Sequence, residues 1–213
     1  MTQRPLVFVH GWGFDSNFWQ PVAECLPDFA RVFVEFGFHG GVVNQPKMPG
    51  AVVIAHSMGF AWALANIPRP WAGAIAVNGF ARFTRAPDFV SGVAPRMVER
   101  MLSRFQSEPD KVTADFLRRC GLADPVVTDL ETKPLGDALE WLSNCDQRGA
   151  LGRLDCPLLA LAGTSDAIVS EPMSRESFAG HPLILAQGSG HLLPLSNPEW
   201  VAGQIRDFVN GLQ

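Results

Sequence analysis

Among the 213 residues are four cysteines, and none pairs with another at CxxC spacing or with histidine at a spacing suited to zinc. Cys25, Cys120, Cys145 and Cys156 therefore read as reduced, mostly buried thiols of a cytosolic protein, not as a disulfide frame or a metal centre. Charge is scarce too. Only 18% of residues are charged, and 17 basic against 21 acidic side chains leave a formal net of −4. With 47% hydrophobic residues this excludes a disordered chain, and the absence of a binding motif argues against nucleic acid. Neither GxGxxG nor a Walker lysine occurs, so a glycine-rich phosphate cradle is not supported. Internal repeats and low-complexity tracts are missing as well. Leu6–Val9 is the only apolar run near the N-terminus and no small-residue cleavage site follows it, which is not the pattern of a signal peptide. A cytoplasmic protein without metal or organic cofactor is expected.

One absence frames the most informative stretch: no charge falls between Lys47 and Arg69. Length alone would permit a membrane helix, but His56, Ser57, Asn66, Pro68 and two glycines make it a poor one. Instead Val52, Val53 and Ile54 read as a strand buried on both faces, and Phe60 to Ala65 favour helix. Ser57 sits between them, with small residues two positions away on each side, Ala55 and Gly59. This is the pattern of a nucleophile elbow, a turn tight enough to hold a serine hydroxyl clear of a sheet.

The rest of the chain alternates. Apolar strands are expected at Pro5–Val9, Ala30–Phe36, Ala72–Val77, Pro157–Ala162 and Pro182–Ala186, with helical patterns between most of them. Asp15 or Ser16 can cap the first helix, which Pro27 ends, and Asn197-Pro198-Glu199 opens the last. The expected architecture is α/β: about six mostly parallel strands with helices on both faces. His39 to Gly50 just meets the length that a crossover between parallel neighbours needs and is too rich in Gly, Pro and Asn for a helix, so a loop or one irregular turn is expected there. Residues 80–153 break the alternation with helical patterns such as Met97, Val98, Met101, Leu102 and Phe105. They read as a helical lid inserted between the fourth and fifth strands, over a core made of 1–79 and 154–213.

Two acidic and basic residues fall where a serine nucleophile would need them. Asp166 follows the strand that ends in Gly163, and His191 follows Gly188-Ser189-Gly190 after the last strand. The order Ser57, Asp166, His191 puts nucleophile, acid and base on one edge of the sheet, so that an imidazole held by a carboxylate can take the serine proton. Glu35 is the rival acid. His56 and His10 read as structural, and His39 and His181 as solvent-facing. His10-Gly11-Trp12-Gly13 is a glycine turn directly after a strand, which supplies the Trp12 N–H, with the Met58 N–H, as oxyanion donors. Trp12 would also wall the pocket.

These residues, together with Phe18-Trp19, Thr164-Ser165-Asp166 and Gly190-His191, resemble the α/β-hydrolase superfamily over most of the chain. HGWG, the run Asn78-Gly79-Phe80-Ala81-Arg82-Phe83 and the Phe116-Leu117 pair are most similar to the pimeloyl-[acyl-carrier protein] methyl ester esterases of biotin synthesis. That resemblance implies hydrolysis of a methyl ester at the far end of a carrier-bound acyl chain, with Phe116, Leu117 and Cys120, beside Trp12 and His191, along the acyl channel. Ala55, the short crossover and the missing hairpin before Pro5 depart from the family. Other small esters, thioesters or lactones, and a ligand-binding protein without catalysis, stay open as alternatives. Residues 80–120 carry a net +3, which leaves −7 on the remainder. A basic patch including Arg82, Arg100, Arg104, Arg118 and Arg119 would steer an acidic carrier protein to the cleft, unless it is merely a solvated helical face.

Overall fold

A computed structural model describes residues 4–212. Seven strands form one sheet: β1 (Leu6–Val9), β2 (Arg31–Phe36), β3 (Val43–Asn44), β4 (Val52–His56), β5 (Gly73–Val77), β6 (Leu158–Gly163) and β7 (Leu183–Ala186), in the order β3-β2-β1-β4-β5-β6-β7. All pairings are parallel except β2 with β3. The central strands β1, β4, β5 and β6 are buried along their whole length, as continuous Val/Ile/Leu/Ala runs require when both faces are covered.

Helices cover both faces, and β5 shows it. Gly73 lies against Phe208 and Leu212 at the end of α9 (Pro198–Gly211), whereas Ala76, three residues on, lies with Gly79 against Phe60 of α2 (Met58–Asn66). Positions an odd number apart on a strand point to opposite sides. Asp15 caps a short 3-10 turn, Ser16–Trp19, that runs into α1 (Gln20–Glu24). That helix stops at Glu24, before Pro27 is reached.

Two expectations need correction. The sheet has seven strands, because Val43–Asn44 pairs antiparallel with the end of β2 within the expected loop. The crossover from β2 to β4 also does not join neighbours, since β1 lies between them and pairs with both. The loop therefore steps across one strand without a helix, and it is stapled from outside. Gly40 N–H donates to Asp129 O, Glu131 N–H donates to Phe38 O, and the ring of His39 lies 3.2 Å from Gly13 O and 3.3 Å from Thr128 O. His39 is thus tied between two carbonyls and not simply solvated.

Between β5 and β6 stand four helices: α3 (Pro95–Phe105), α4 (Pro109–Cys120), α5 (Thr132–Asn144) and α6 (Arg148–Leu151). Pro sits at the first or second position of α3 and α4, where its missing N–H costs nothing, and Gly121 closes α4 in the left-handed conformation with φ 119°. Val98, Phe105, Val112, Leu117, Leu135 and Leu139 bury their side chains in the common core. Three further helices, α7 (Glu171–Ser177), α8 (Leu193–Ser196) and α9, complete the chain. Among the described residues no helix is long and apolar enough to cross a membrane.

Candidate active site

Ser57 has φ 54° and ψ −127°, a backbone conformation that a residue with a side chain adopts only under constraint, at roughly 1–3 kcal/mol. Here its N–H donates to Val77 O and its C=O accepts from Phe60 N–H, so strand β5 and helix α2 both hold it. Gly59 explains the tightness. A Cβ there would stand 2.4 Å from His10 O and 2.9 Å from Val9 O, so α2 starts in contact with the end of β1. No such pressure acts at Ala55, whose methyl group is accommodated in the fully buried β4.

His191 brings its Nε2 to 3.1 Å from Ser57 Oγ, and its Nδ1 to 2.8 Å from Asp166 Oδ2. The carboxylate can only accept, so the Nδ1–H donates to it and the bare Nε2 faces the serine hydroxyl. His191, Asp166 and Ser57 are all buried, which keeps these bonds from competing with water. Asp166 Oδ1 accepts from the N–H groups of Ile168 and Val169, and Oδ2 accepts a second bond from Asn78 Nδ2 at 2.6 Å. Four donors around one carboxylate fix its orientation. The two loops that carry the acid and the base are also laced together. Ser165 N–H donates to Ser189 O, Gly188 N–H donates to Thr164 Oγ1, and a Cβ on Gly163 would stand only 2.2 Å from Ser189 O.

The supporting role of Asn78 escaped the sequence reading, and His56, read as structural, now gains its partner. Asn78 was visible only as the end of a strand; its left-handed φ of 47°, which Asn tolerates better than most residues, turns its amide toward Asp166 and Gly190 O. His56 donates Nε2–H to the backbone carbonyl of His191 at 3.0 Å, while its ring stacks on Phe18. Complete burial, aided by the neighbouring His191, holds it well below the ordinary histidine range and therefore neutral. An Asn at a strand end and a His before the serine were the available signals, but neither names its partner.

Above Ser57 lies a cavity of about 230 Å³. Trp12, Ser57 and Met58 line it from the sheet side, and Met101, Phe116 and Leu139 from α3, α4 and α5. Trp12 is buried, with its ring edge-on to Phe105 and Phe116, and its Nε1–H donates to Leu135 O. Neither the Trp12 nor the Met58 backbone N–H meets an acceptor among the described residues. Leu117 and Cys120, expected along the channel, are buried outside this lining, and burial pushes the Cys120 thiol far above its ordinary range. On a helix the residue one position past Phe116 points to a different face, whereas Cys120, four positions on, shares the face of Phe116 but lies beyond the cavity lining. Arg100, Arg104 and Arg119 stand at the cavity, whereas Arg82 is held by Asp146 and Thr84 O, and Arg118 by Asp115. Glu35 lies beside His10, not His191. No group of three or more His, Cys, Asp or Glu side chains among the described residues could hold a metal ion.

The backbone matches the esterase of Exiguobacterium antarcticum with a TM-score of 0.83 at 17% identity, over 98% of this chain and 92% of that one. The fold is that of the α/β-hydrolases. No family model matches the chain. Among curated proteins it is similar to the biotin biosynthesis bifunctional protein BioHC of Cellvibrio japonicus, 29% identical over the whole of this chain. The chain spans about half the length of that relative. It is also similar to the pimeloyl-[acyl-carrier protein] methyl ester esterase of Neisseria meningitidis serogroup C, 26% identical over 98% of this chain and 94% of that protein. Its relatives and structural neighbours are esterases and hydrolases.

Proposed function

We propose that the chain is a serine carboxylesterase, with Ser57 as nucleophile, His191 as base and Asp166 as the group that orients the imidazole. The observation that carries this reading is the unbroken line of 3.1 Å and 2.8 Å contacts from hydroxyl to imidazole to carboxylate, at the floor of an apolar cavity. In the reaction Ser57 Oγ attacks the ester carbonyl as His191 Nε2 takes its proton. The N–H groups of Trp12 and Met58 receive the oxyanion, and the protonated imidazole then gives its proton to the departing alkoxide. Water, deprotonated by the same nitrogen, attacks the acyl-enzyme and frees the carboxylate and the serine.

The substrate class follows from the relatives: the methyl ester of a pimeloyl chain on acyl carrier protein, with methanol as leaving group, in the cytoplasm and without a cofactor. The mostly apolar lining of the cavity suits an aliphatic acyl chain. Residues 80–153 act as the lid and 1–79 with 154–213 as the catalytic core, Trp12 and Phe116 packing edge-on to form one wall of the pocket. Arg100 and Arg119 offer an acidic carrier its landing, while Arg104 and Arg118 also pair with Asp115 and Arg82 with Asp146.

Ser57→Ala tests the core of the reading. Hydrolysis of p-nitrophenyl esters should fall by about 10⁴–10⁶-fold with the melting temperature unchanged, and covalent labelling by a fluorophosphonate should vanish. Retained activity or labelling in that variant would sink the proposal. Rates on methyl, thioester and lactone substrates, free and carrier-linked, then decide the substrate class.

A further inference from the structure

His10 ends β1 with its ring buried, packed edge-on against Phe36 and Phe38 at 4.7 and 5.7 Å between ring centres. Its Nδ1 lies 2.9 Å from Gly11 O, and its Nε2 lies 3.3 Å from Glu35 Oε2. The second is a close contact and not a directed hydrogen bond. Glu35 Oε1 in turn accepts from Ser16 N–H at 2.8 Å, which fixes the carboxylate. Gly11 O can only accept, so Nδ1 carries a proton and donates to it.

Gly11 O belongs to the peptide unit whose N–H is that of Trp12. A hydrogen bond to the carbonyl end of a peptide sets its tilt and polarises the N–H at its other end. Gly11 brings no side chain to brace this peptide: a Cβ there would stand 2.9 Å from His56 Nδ1 and 3.1 Å from Ser57 Cβ.

We infer that His10 and Glu35 are positioning residues for the oxyanion hole: His10 grips the carbonyl of the Gly11–Trp12 peptide and so aims the Trp12 N–H into the cleft, and Glu35, itself fixed by Ser16 N–H, holds the far edge of the His10 ring in place. The inference rests on the proposed esterase reading, because it assigns the Trp12 N–H its task. Glu35 is suited to its part. Burial, which by itself raises its pKa, is outweighed by the contacts with His10 and Ser16, and the carboxyl titrates below its ordinary value. Neither residue touches the substrate cavity. Their action therefore belongs to the transition state and not to the binding of the ester.

The test compares His10→Ala, His10→Asn and Glu35→Gln with the unaltered protein, in steady-state hydrolysis of a p-nitrophenyl ester and in inhibition by an alkyl boronic acid, which mimics the tetrahedral state. Removing one oxyanion donor costs about 10²–10³-fold, and misaiming it should cost about 10–100-fold in kcat for His10→Ala, with KM within about threefold. Boronic acid affinity should weaken by the same factor as kcat. His10→Asn, whose amide nitrogen stands near the site of Nδ1, should recover most of the loss, and Glu35→Gln should lose about 3–10-fold. Unchanged kcat and boronic acid affinity in all three variants would overturn the inference, as would losses that follow KM or a lowered melting temperature instead of kcat. Failure of a fluorophosphonate to label Ser57 in the unaltered protein is a different result, and it would remove the esterase reading itself.

Discussion

Two histidine–carboxylate pairs stand at the same edge of one sheet, and they differ in what the second ring nitrogen faces. His191 and Asp166 come from loops beyond β7 and β6, and the free nitrogen of His191 looks at a hydroxyl, Ser57 Oγ. His10 and Glu35 come from β1 and β2, and the other nitrogen of His10 looks at a carbonyl, Gly11 O. A hydroxyl can yield a proton and a carbonyl cannot. On the proposed reading the first pair moves a proton and the second holds one still. Their carboxylates differ accordingly: Asp166 is fully buried and gripped by four donors, whereas the Glu35 side chain is 19% exposed and takes one directed bond.

The comparison breaks most sharply at Asp166. Asp166→Asn keeps the shape but leaves the imidazole in the wrong tautomer, and kcat should fall about 10⁴-fold, far beyond anything Glu35→Gln does. Similar losses from the two substitutions, measured under the same conditions, would mean that the pairs do not differ as described. Asn78→Gly retains the left-handed backbone while deleting one donor to Asp166 Oδ2. A bond to a charged group is worth about 1.5–3 kcal/mol, so kcat should drop roughly 10–100-fold, with KM nearly unchanged. An unaltered kcat there would show that three donors suffice. Charge at the cavity mouth sharpens the picture differently. Replacing Arg100 and Arg119 by Ala should raise KM for a carrier-linked ester by about tenfold at low salt and leave a small free ester untouched. Equal effects on both substrates would contradict carrier steering.

The smallest effect concerns stability. His56 is held neutral in the fold, so its folded pKa lies below that of the unfolded chain, about 6.5. Below that pH the unfolded state binds the additional proton. Stability should thus be complete above about pH 6.5 and decline as the pH falls, by at most about 1.4 kcal/mol per unit from this group. His56→Gln, whose amide can still donate to His191 O, should show a shallower decline in urea midpoints between pH 7 and 5. An identical slope in both proteins would place the acid sensitivity elsewhere.

Much of this molecule could be read along the chain. The runs Leu6–Val9, Val52–His56, Gly73–Val77 and Leu158–Gly163 announce buried parallel strands, because a strand covered on both faces must be apolar at successive positions, and that pattern is local. Ser57, Asp166 and His191 were likewise legible from the turn chemistry after their strands. What stayed hidden depends on neighbours that are distant in sequence. Strand order is one case: nothing in residues 31–56 says that β1 will lie between β2 and β4. The partners of Asn78, His56, His39 and Glu35 are others, each 19 or more residues away along the chain (Ser16 lies 19 from Glu35 and His10 lies 25). A strand's burial is a property of its own composition, whereas the partner of a polar side chain is chosen by which segments the folded sheet brings together.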